Sequence, residues 1–230
     1  WQRRGARRTL DAIEHLPATL VVPFGTGVDA IAIRGYAAST SARGITTTLD
    51  GIRLNNFSFG TGQYDTPNIN LGVLQKIEMI RGPASAIYGS DAFHGVLSYH
   101  TFESDFDLDQ VAAEGSADGY FHGSGRHSSA LTENVRINFA MAGSRQSDQE
   151  QQLQYTDLTT GEQQHIEKEL AYTSQTLSMK LVSDTEKDIY WRWGIYIDQN
   201  KSRDFPLASA TDASGQDAVN YMTRLAVTQY

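Results

Sequence analysis

The segment 75–97 constrains the fold of this chain more strongly than any other stretch. Ile77, Met79 and Ile80 in its first half are apolar and suit a buried strand, which Gly82 and Pro83 then end. Proline has no N–H for a strand ladder, and glycine admits a positive φ. Residues 84–88 can form one helical turn closed by Gly89, after which a second apolar strand begins. The sequence therefore predicts a strand, a sharp stop, a short helix and a second strand.

Two shorter motifs precede this segment: Ile-Arg-Gly at 33–35 and Leu-Asp-Gly at 49–51. With these three motifs in this order, the chain closely resembles the plug domain of TonB-dependent outer-membrane receptors. The resemblance implies a protein of the Gram-negative outer membrane that imports a scarce nutrient through a plugged β-barrel. The resemblance also implies that the protein is not an enzyme.

Residues 1–104 alternate between helix and strand signals, which predicts an α+β plug domain with a small mixed sheet and short helices. We expect a helix at 10–15 with Thr9 as its N-cap. We also expect a β-branched strand closed by the turn Asp50-Gly51.

Residues 105–230 form the second predicted domain, the N-terminal portion of the barrel, and their pattern alternates strictly. Ile137 and Phe139, for example, share one face of a strand, while Arg136 and Asn138 share the other. This alternation predicts antiparallel strands, and together with the plug motifs it indicates a transmembrane β-barrel with the apolar face toward lipid. The six predicted strands lie at about 108–119, 122–131, 134–147, 170–182, 188–200 and 219–230.

The connections between these strands differ in length. Long polar segments at about 148–168 and 201–218 alternate with short ones at 132–133 and 183–188. Outer-membrane barrels have long outer loops and short periplasmic turns. Strand alternation alone would favour a soluble β-sandwich, and the plug motifs favour the barrel.

Six strands do not close a barrel, and an open sheet would leave unpaired backbone groups in lipid. The family's barrel has 22 strands, so we expect this chain to be a fragment of a longer receptor. We expect the segment that contacts the TonB-type energy-transducing protein to lie outside it. Outer-membrane lipid is the other implied partner. A net charge of −8 disfavours nucleic acid, and the lack of cysteine excludes a disulfide scaffold.

The resemblance assigns a locking role to Arg34 and Arg81, each of which precedes a glycine at the end of a plug strand. In the family these arginines pair with glutamates of the barrel wall, which would lie on strands beyond this chain. An arginine fork suits this role because it binds a carboxylate with two hydrogen bonds and stays charged. Glu78, in the same motif, is assigned to the lock as a residue that stabilises Arg81 or Lys76. The alternative is that both arginines are solvated strand ends.

Two loops, 36–44 and 55–70, would form the outward apices of the plug. Aromatic rings beside an arginine suit an aromatic, anionic ferric siderophore, which is the ligand we expect. Packing of the same rings against the barrel interior is an equally good explanation. The candidate ligand-binding residues are Tyr36, Arg43, Phe57, Phe59 and Tyr64.

The six histidines show no zinc-ligand spacing and have no cysteine support. No nucleophile–base motif or phosphate-binding loop occurs. We therefore expect no metal site, no cofactor and no catalytic residue. No histidine lies between Gly35 and Asn70, which disfavours haem as the ligand. The alternatives left open are a haem or cobalamin importer, a receptor that also signals, and a soluble periplasmic binding module.

Overall fold

The computed structural model describes residues 1, 4–24, 28–34, 44–54, 69–156, 163–183, 191–204 and 218–229. Within these residues the α-helices are α1 (Thr9–Glu14) and α2 (Ser85–Tyr88). The strands are β1 (Thr19–Phe24), β2 (Val28–Ile33), β3 (Ile45–Leu49), β4 (Ile52–Arg53), β5 (Leu74–Arg81), β6 (Gly95–Thr101), β7 (Leu108–Gly115), β8 (Tyr120–Thr132), β9 (Val135–Thr156), β10 (Gln163–Ser183), β11 (Trp191–Asp204) and β12 (Ala218–Gln229). No helix in these ranges is long and apolar enough to cross a membrane.

The described strands form three sheets. Strands β1 and β2 pair antiparallel, and a four-stranded mixed sheet has the order β4-β3-β6-β5, with β3 and β6 parallel. Strands β7 to β12 form an antiparallel sheet in which each strand pairs with its neighbours in sequence. The predicted fold class, a small α+β unit followed by antiparallel strands, is confirmed. We refer to the part of the chain before β7 as the N-terminal unit.

Two local expectations in the N-terminal unit need correction. Helix α1 begins at Thr9, and its N-cap is Arg8 rather than Thr9. The reason is Asp11, whose Oδ2 accepts hydrogen bonds from the backbone N–H groups of Arg7 and Arg8 and so satisfies the start of the helix from inside its first turn. Strand β1 was not expected, because Pro23 interrupts its apolar run.

The turns of the long motif and of the Asp50-Gly51 hairpin form as predicted. Asp50 and Gly51 have φ values of 47° and 85°, which a two-residue hairpin between β3 and β4 requires. Gly89 closes α2 with a φ of 88°. Strand β5 is only half-buried, and its Ile80 is exposed. The fully buried strands are instead β3 and most of β6.

The six-stranded sheet has two distinct faces. On β9 the buried residues are small or polar, and they alternate with residues that point outward. Strand β10 repeats the pattern. The predicted alternation, with Ile137 and Phe139 on one face of β9 and Asn138 on the other, is therefore confirmed. The buried inward residues on these two strands are Asn138, Ala140, Ala142, Ser144, Gln146, Ser174, Thr176, Ser178 and Lys180.

The outward face carries apolar side chains that line up across β9, β10 and β11. Three successive rows of paired residues are apolar on every one of these strands, and Gln175 and Gln199 form the next row. An apolar band bounded by polar residues is typical of a lipid-facing barrel surface. The three rows are Ile137, Leu181 and Trp193; Phe139, Met179 and Ile195; and Met141, Leu177 and Ile197.

The strand ends differ from the predicted ones in several places. Strand β11 continues to Asp204, because residues 201–204, expected in a loop, pair with β12. Strand β7 ends at Gly115, not near 119, because the next four residues form a turn in which Gly119 has a φ of 81°. Residues 148–156 and 163–168, expected in a loop, continue the pairing of β9 with β10. Backbone pairing needs no apolar side chains, so a polar hairpin can extend beyond an apolar band.

Candidate functional site

The inward face of the six-stranded sheet packs against the N-terminal unit, and their contact surface is the candidate functional site. Ala140, Ala142 and Tyr196 of the sheet belong to the same buried cluster as Leu97 and Tyr99 of the N-terminal unit. The two parts of the chain therefore share one core. We call this contact surface the inner interface.

A 3₁₀ turn, Leu71–Val73, meets strands β8 and β9 at the inner interface. Asn70 caps the turn, because its Oδ1 accepts a hydrogen bond of 3.0 Å from Gly72 N. Its Nδ2 donates across the interface to Ser144 Oγ at 2.7 Å, and His122 Nδ1 lies 3.0 Å from the same oxygen. Asn70 thus both caps the 3₁₀ turn and binds the sheet.

Gly72 lies at the closest approach of the two parts. A Cβ on this residue would be 2.6 Å from Ala142 Cβ, 2.8 Å from Ser124 Cβ and 2.9 Å from His122 Cε1. These distances are too short for carbon atoms, and neither Cβ can move without its backbone. Only glycine fits this position while the sheet stays in place.

Arg126 of β8 binds this turn and the residue that follows it. Its Nε donates to the carbonyl oxygen of Gly72 at 2.9 Å, and its Nη2 donates to that of Leu74 at 2.8 Å. The guanidinium carbon also lies 5.4 Å from the centre of the Phe102 ring. Because a guanidinium has several donors in a fixed plane, one side chain can hold both carbonyl groups.

A group of four charged residues connects the N-terminal unit to β10 and β11. Lys180 Nζ donates to Asp50 Oδ1 at 2.8 Å and lies 3.4 Å from Glu103 Oε2. Arg192 Nη2 donates to Glu103 Oε1 at 2.7 Å. The side chains of Lys180 and Asp50 are only 5% and 9% exposed. Two cations on the sheet are therefore balanced by two carboxylates on the other side.

The backbone around this group is positioned by further hydrogen bonds. Asp50 accepts from Thr101 N at 3.0 Å and from Thr101 Oγ1 at 2.6 Å, while Lys180 Nζ also donates to the Thr101 carbonyl oxygen at 3.1 Å. Glu103 N donates to Gln75 Oε1 at 3.1 Å. The carboxylates are thus held in place by the N-terminal unit itself.

Arg7 makes a more exposed contact with the turn between β7 and β8. Its Nη1 donates to Asp118 Oδ2 at 2.5 Å, and its Nη2 donates to Ser116 Oγ at 3.0 Å. The guanidinium carbon lies 4.5 Å from the centre of the Tyr120 ring. The hydrogen bond from Arg7, assisted by one from Ser116, lowers the pKa of Asp118 to about 2.

The structure places the two predicted locking arginines close together and away from the inner interface. Arg34 has a left-handed backbone, and its Nη1 lies 3.6 Å from where a Cβ of Gly82 would be. The adjacent Arg81 donates from Nη1 to the carbonyl oxygen of Pro17 at 3.4 Å. Both side chains are exposed, and neither forms an ion pair with another described residue.

Glu78, the third predicted lock residue, pairs with its own sheet. Its carboxylate is 2.9 Å from Lys76 Nζ and 2.9 Å from His100 Nε2. The hydrogen bond from Lys76 is the main reason that the pKa of Glu78 is lowered. Residues 78 and 81 lie on opposite faces of β5, so the structure brings Glu78 to Lys76 and not to Arg81.

The predicted ligand-binding residues, Tyr36, Arg43, Phe57, Phe59 and Tyr64, lie outside the described residues. Within the part that the structure does describe, no cluster of three or more histidine or acidic side chains could hold a metal ion.

Sequence reasoning missed the residues of the inner interface. Lys180 and Asp50 are 130 positions apart, and neither belongs to a motif with a charged partner at fixed spacing. Arg126 lies in the strand with the weakest alternation. The one available signal was a lysine on the polar face of a strand whose opposite face is apolar. That signal indicates an inward-facing cation but identifies no partner.

A mixed-sheet unit packed on the polar face of an antiparallel sheet, whose other face is apolar, is the arrangement expected of a plugged β-barrel receptor of the outer membrane. Residues 1–96 match the family model described as the TonB-dependent receptor plug domain. These residues therefore match the plug domain of TonB-dependent receptors, which are proteins of the Gram-negative outer membrane, and the strands that follow them fit the start of a barrel wall.

Relatives and solved structures agree with this assignment. The chain is 30% identical over 129 residues to the vitamin B12 transporter BtuB of Photobacterium profundum, a match that covers 56% of this chain and 20% of that protein. A second vitamin B12 transporter BtuB, from Vibrio vulnificus, is 30% identical over 116 residues, which cover 48% of this chain and 18% of that protein. The chain thus spans about a fifth of the length of these curated relatives.

The fold is shared with larger receptors of known structure. The pyoverdine outer-membrane receptor FpvA of Pseudomonas aeruginosa PAO1 superimposes with a TM-score of 0.65 at 15% identity, over 86% of this chain and 26% of that one. The ferric yersiniabactin uptake receptor FyuA of Yersinia pestis gives a TM-score of 0.64 at 17% identity, over 99% of this chain and 35% of that one. At these identities the likeness concerns the fold alone.

Proposed function

We propose that this chain is part of a TonB-dependent transporter, without enzymatic activity, that imports a ferric siderophore across the outer membrane. The observation that carries the proposal is the inner interface, where the plug packs against the polar face of the barrel wall. A filled lumen closes the barrel, so import requires a plug that can shift. A TonB-type protein would supply the pulling force, and ligand would bias the same switch.

The ligand would bind at the outer apices of the plug. Tyr36, Arg43, Phe57, Phe59 and Tyr64 combine aromatic rings with a cation, which suits an aromatic and anionic ferric chelate. The solved structures of similar fold include receptors for pyoverdine and ferric yersiniabactin. These likenesses support a siderophore as the class of ligand.

The plug would comprise residues 1–104 and the first part of the barrel residues 105–230. In this proposal Arg34 and Arg81 pair with glutamates on later strands and hold the plug in its closed state, with Glu78 supporting β5 through Lys76. Their exposure and proximity support this role, because both forks are available to partners. Replacement of either arginine by alanine should speed hydrogen exchange at 31–34 and 77–82, and unchanged exchange there would contradict the lock.

Cobalamin is the second candidate ligand. Two curated relatives at 30% identity are vitamin B12 transporters, although the matches cover only about a fifth of each. Cobalamin transporters and siderophore receptors share the plug motifs, so the plug alone favours neither ligand.

A ligand titration of the full-length receptor in detergent tests the proposal. Tryptophan fluorescence would be followed during additions of ferric siderophores, haemin and cobalamin. We expect saturable binding of a ferric siderophore, with a Kd below about 1 µM. Saturable binding of cobalamin and of no siderophore would show that cobalamin, the second candidate, is the ligand. Failure of every ferric siderophore to bind would contradict the proposed substrate class.

A further inference from the structure

Four charged side chains at the inner interface form a group that the plug motifs do not include. Asp50 and Glu103 belong to the N-terminal side, and Lys180 and Arg192 belong to strands β10 and β11. We call these four residues the tetrad. Its two positive and two negative charges sum to zero, and Lys180 is buried between both carboxylates.

The burial of Lys180 and Asp50 makes the charge of each depend on the partners around it. A charged amine removed from water is stable only when close partners replace its hydration. Lys180 Nζ has three acceptors within 3.4 Å, namely Asp50, Glu103 and the Thr101 carbonyl oxygen, and all three lie outside the barrel wall. If the plug moved away from the wall, this lysine would lose all three together.

The tetrad and the arginine pair lie at opposite ends of the plug sheet. Arg81 pairs with Gly95 at one end of the β5–β6 ladder, whereas Thr101, which touches both Asp50 and Lys180, pairs with Leu74 at the other. Six residues of strand separate these ends, a distance of about 20 Å. Contacts so far apart resist rotation of the sheet, which a single contact would allow.

We propose that the tetrad is a second lock between plug and barrel, independent of Arg34 and Arg81. It holds the β3–β4 turn and the segment after β6 against strands β10 and β11. The arginine pair needs partners beyond this chain, whereas the tetrad is complete within it. A plug that leaves the lumen must therefore break the contacts of Lys180, and a plug that only rearranges can keep them.

Hydrogen exchange of the full-length receptor, measured by mass spectrometry in lipid nanodiscs, tests this second lock. Lys180→Met keeps the length of the side chain and removes its charge, and Asp50→Asn keeps a residue that tolerates the left-handed turn. We expect each change to speed exchange at 45–54 and 95–103 by about tenfold or more. The double variant should fall short of the summed effects, because the two residues act on one contact.

Two further variants separate locking from general packing. Lys180→Arg retains the charge and should restore at least part of the protection. Arg136→Met removes an arginine whose partner, Asp107, is exposed, and it should leave exchange at 45–54 unchanged. Heat-modified migration on gels would verify that each barrel has folded.

Several results would overturn the second lock. One is unchanged exchange at 45–54 in both folded single variants. Another is equal acceleration at 77–82, which would indicate general loosening of the plug rather than release of one end. If Lys180→Met fails to fold, Asp50→Asn and Lys180→Arg decide the matter, and equal exchange in wild type and Asp50→Asn would exclude the lock.

Discussion

Asp118 is exposed, yet its carboxylate is bound by both Arg7 and Ser116. Its pKa of about 2 lies below the ordinary value of 3.8, so the folded state favours the ionised form. This contact therefore contributes stability above about pH 4. The contribution is lost as pH falls from about 4 to about 2, because the carboxylate is then protonated.

Replacement of Arg7 by glutamine should return the pKa of Asp118 toward its ordinary value, since the largest cause of the shift is then absent. Infrared spectra of receptor with ¹³C-labelled aspartate carboxyl groups, taken between pH 1.5 and 6 and compared with Asp118→Asn, would follow this titration. Arg8→Gln is the matched control, because Arg8 pairs with Asp11 instead. A titration of Asp118 near pH 2 in the Arg7 variant would contradict this account.

Gly72 allows the closest approach of plug and wall, so its replacement by alanine should loosen the plug. The added methyl group would overlap Ala142 and Ser124, and we expect a loss of about 1–3 kcal/mol in the free energy of unfolding. Gly123→Ala on β8 is the control, since a Cβ there would have its nearest contact at 3.9 Å. Urea unfolding in lipid vesicles would compare the two variants. Equal unfolding midpoints would show that Gly72 is farther from the wall than the structure describes.

At this scale the sequence predicted residues whose role follows from local geometry and missed those whose role depends on distant partners. Asp50 and Gly51 were expected in a turn, because their backbone preferences belong to the residues themselves. The contact of Asp50 with Lys180 was not expected, since it exists only after the plug has docked on the wall. Asp118-Gly119 carried an equally clear turn signal that was overlooked.

Among the elements, strands β9 to β11 show how side-chain alternation places a sheet in a membrane. Their outward rows are apolar in register, and their inward rows are small or polar where they meet the plug. A one-residue slip of any strand would turn polar side chains toward lipid. The register of strand pairing is therefore fixed by the requirements of both the lipid-facing and the plug-facing side of the sheet.

A charge in the middle of the apolar band should be far more disruptive than one at its edge. Met179→Arg, in the middle one of the three apolar rows, should reduce the unfolding free energy in vesicles by about 2–4 kcal/mol. Gln175→Arg, in the polar row at the edge of the band, should reduce it by at most about 1 kcal/mol. Urea unfolding followed by tryptophan fluorescence would measure both. Equal effects would place Met179 outside the lipid-facing band.

The alternation of β9 to β11 could be predicted because two faces in different solvents impose a period of two. The polar stretches 148–156 and 163–168 carry no such signal, so their strand structure could not be predicted from side chains. The backbone ladder of β9 and β10 nevertheless continues there. Strand β1 was missed for a related reason, because Pro23 interrupts the pattern.

At the scale of the whole molecule, plug and wall form one core with polar contacts spread across it. Asn70, Arg126 and Lys180 each connect the plug with the wall, and Arg7 adds a contact nearer the solvent. A plug held in this way closes the barrel without being covalently tied along its length. Under the proposed function, transport would depend on how many of these contacts must break at once.

Planar-bilayer conductance of the full-length receptor, compared with a variant that lacks residues 1–101, tests the central claim most directly. If these residues fill the lumen of a barrel whose wall begins at β7, the intact receptor should conduct little. The shortened receptor should form stable pores of large conductance, because an empty barrel with the 22 strands expected for this family encloses an aqueous channel. Equal conductance from the two folded proteins would contradict the claim that this part of the chain fills the lumen.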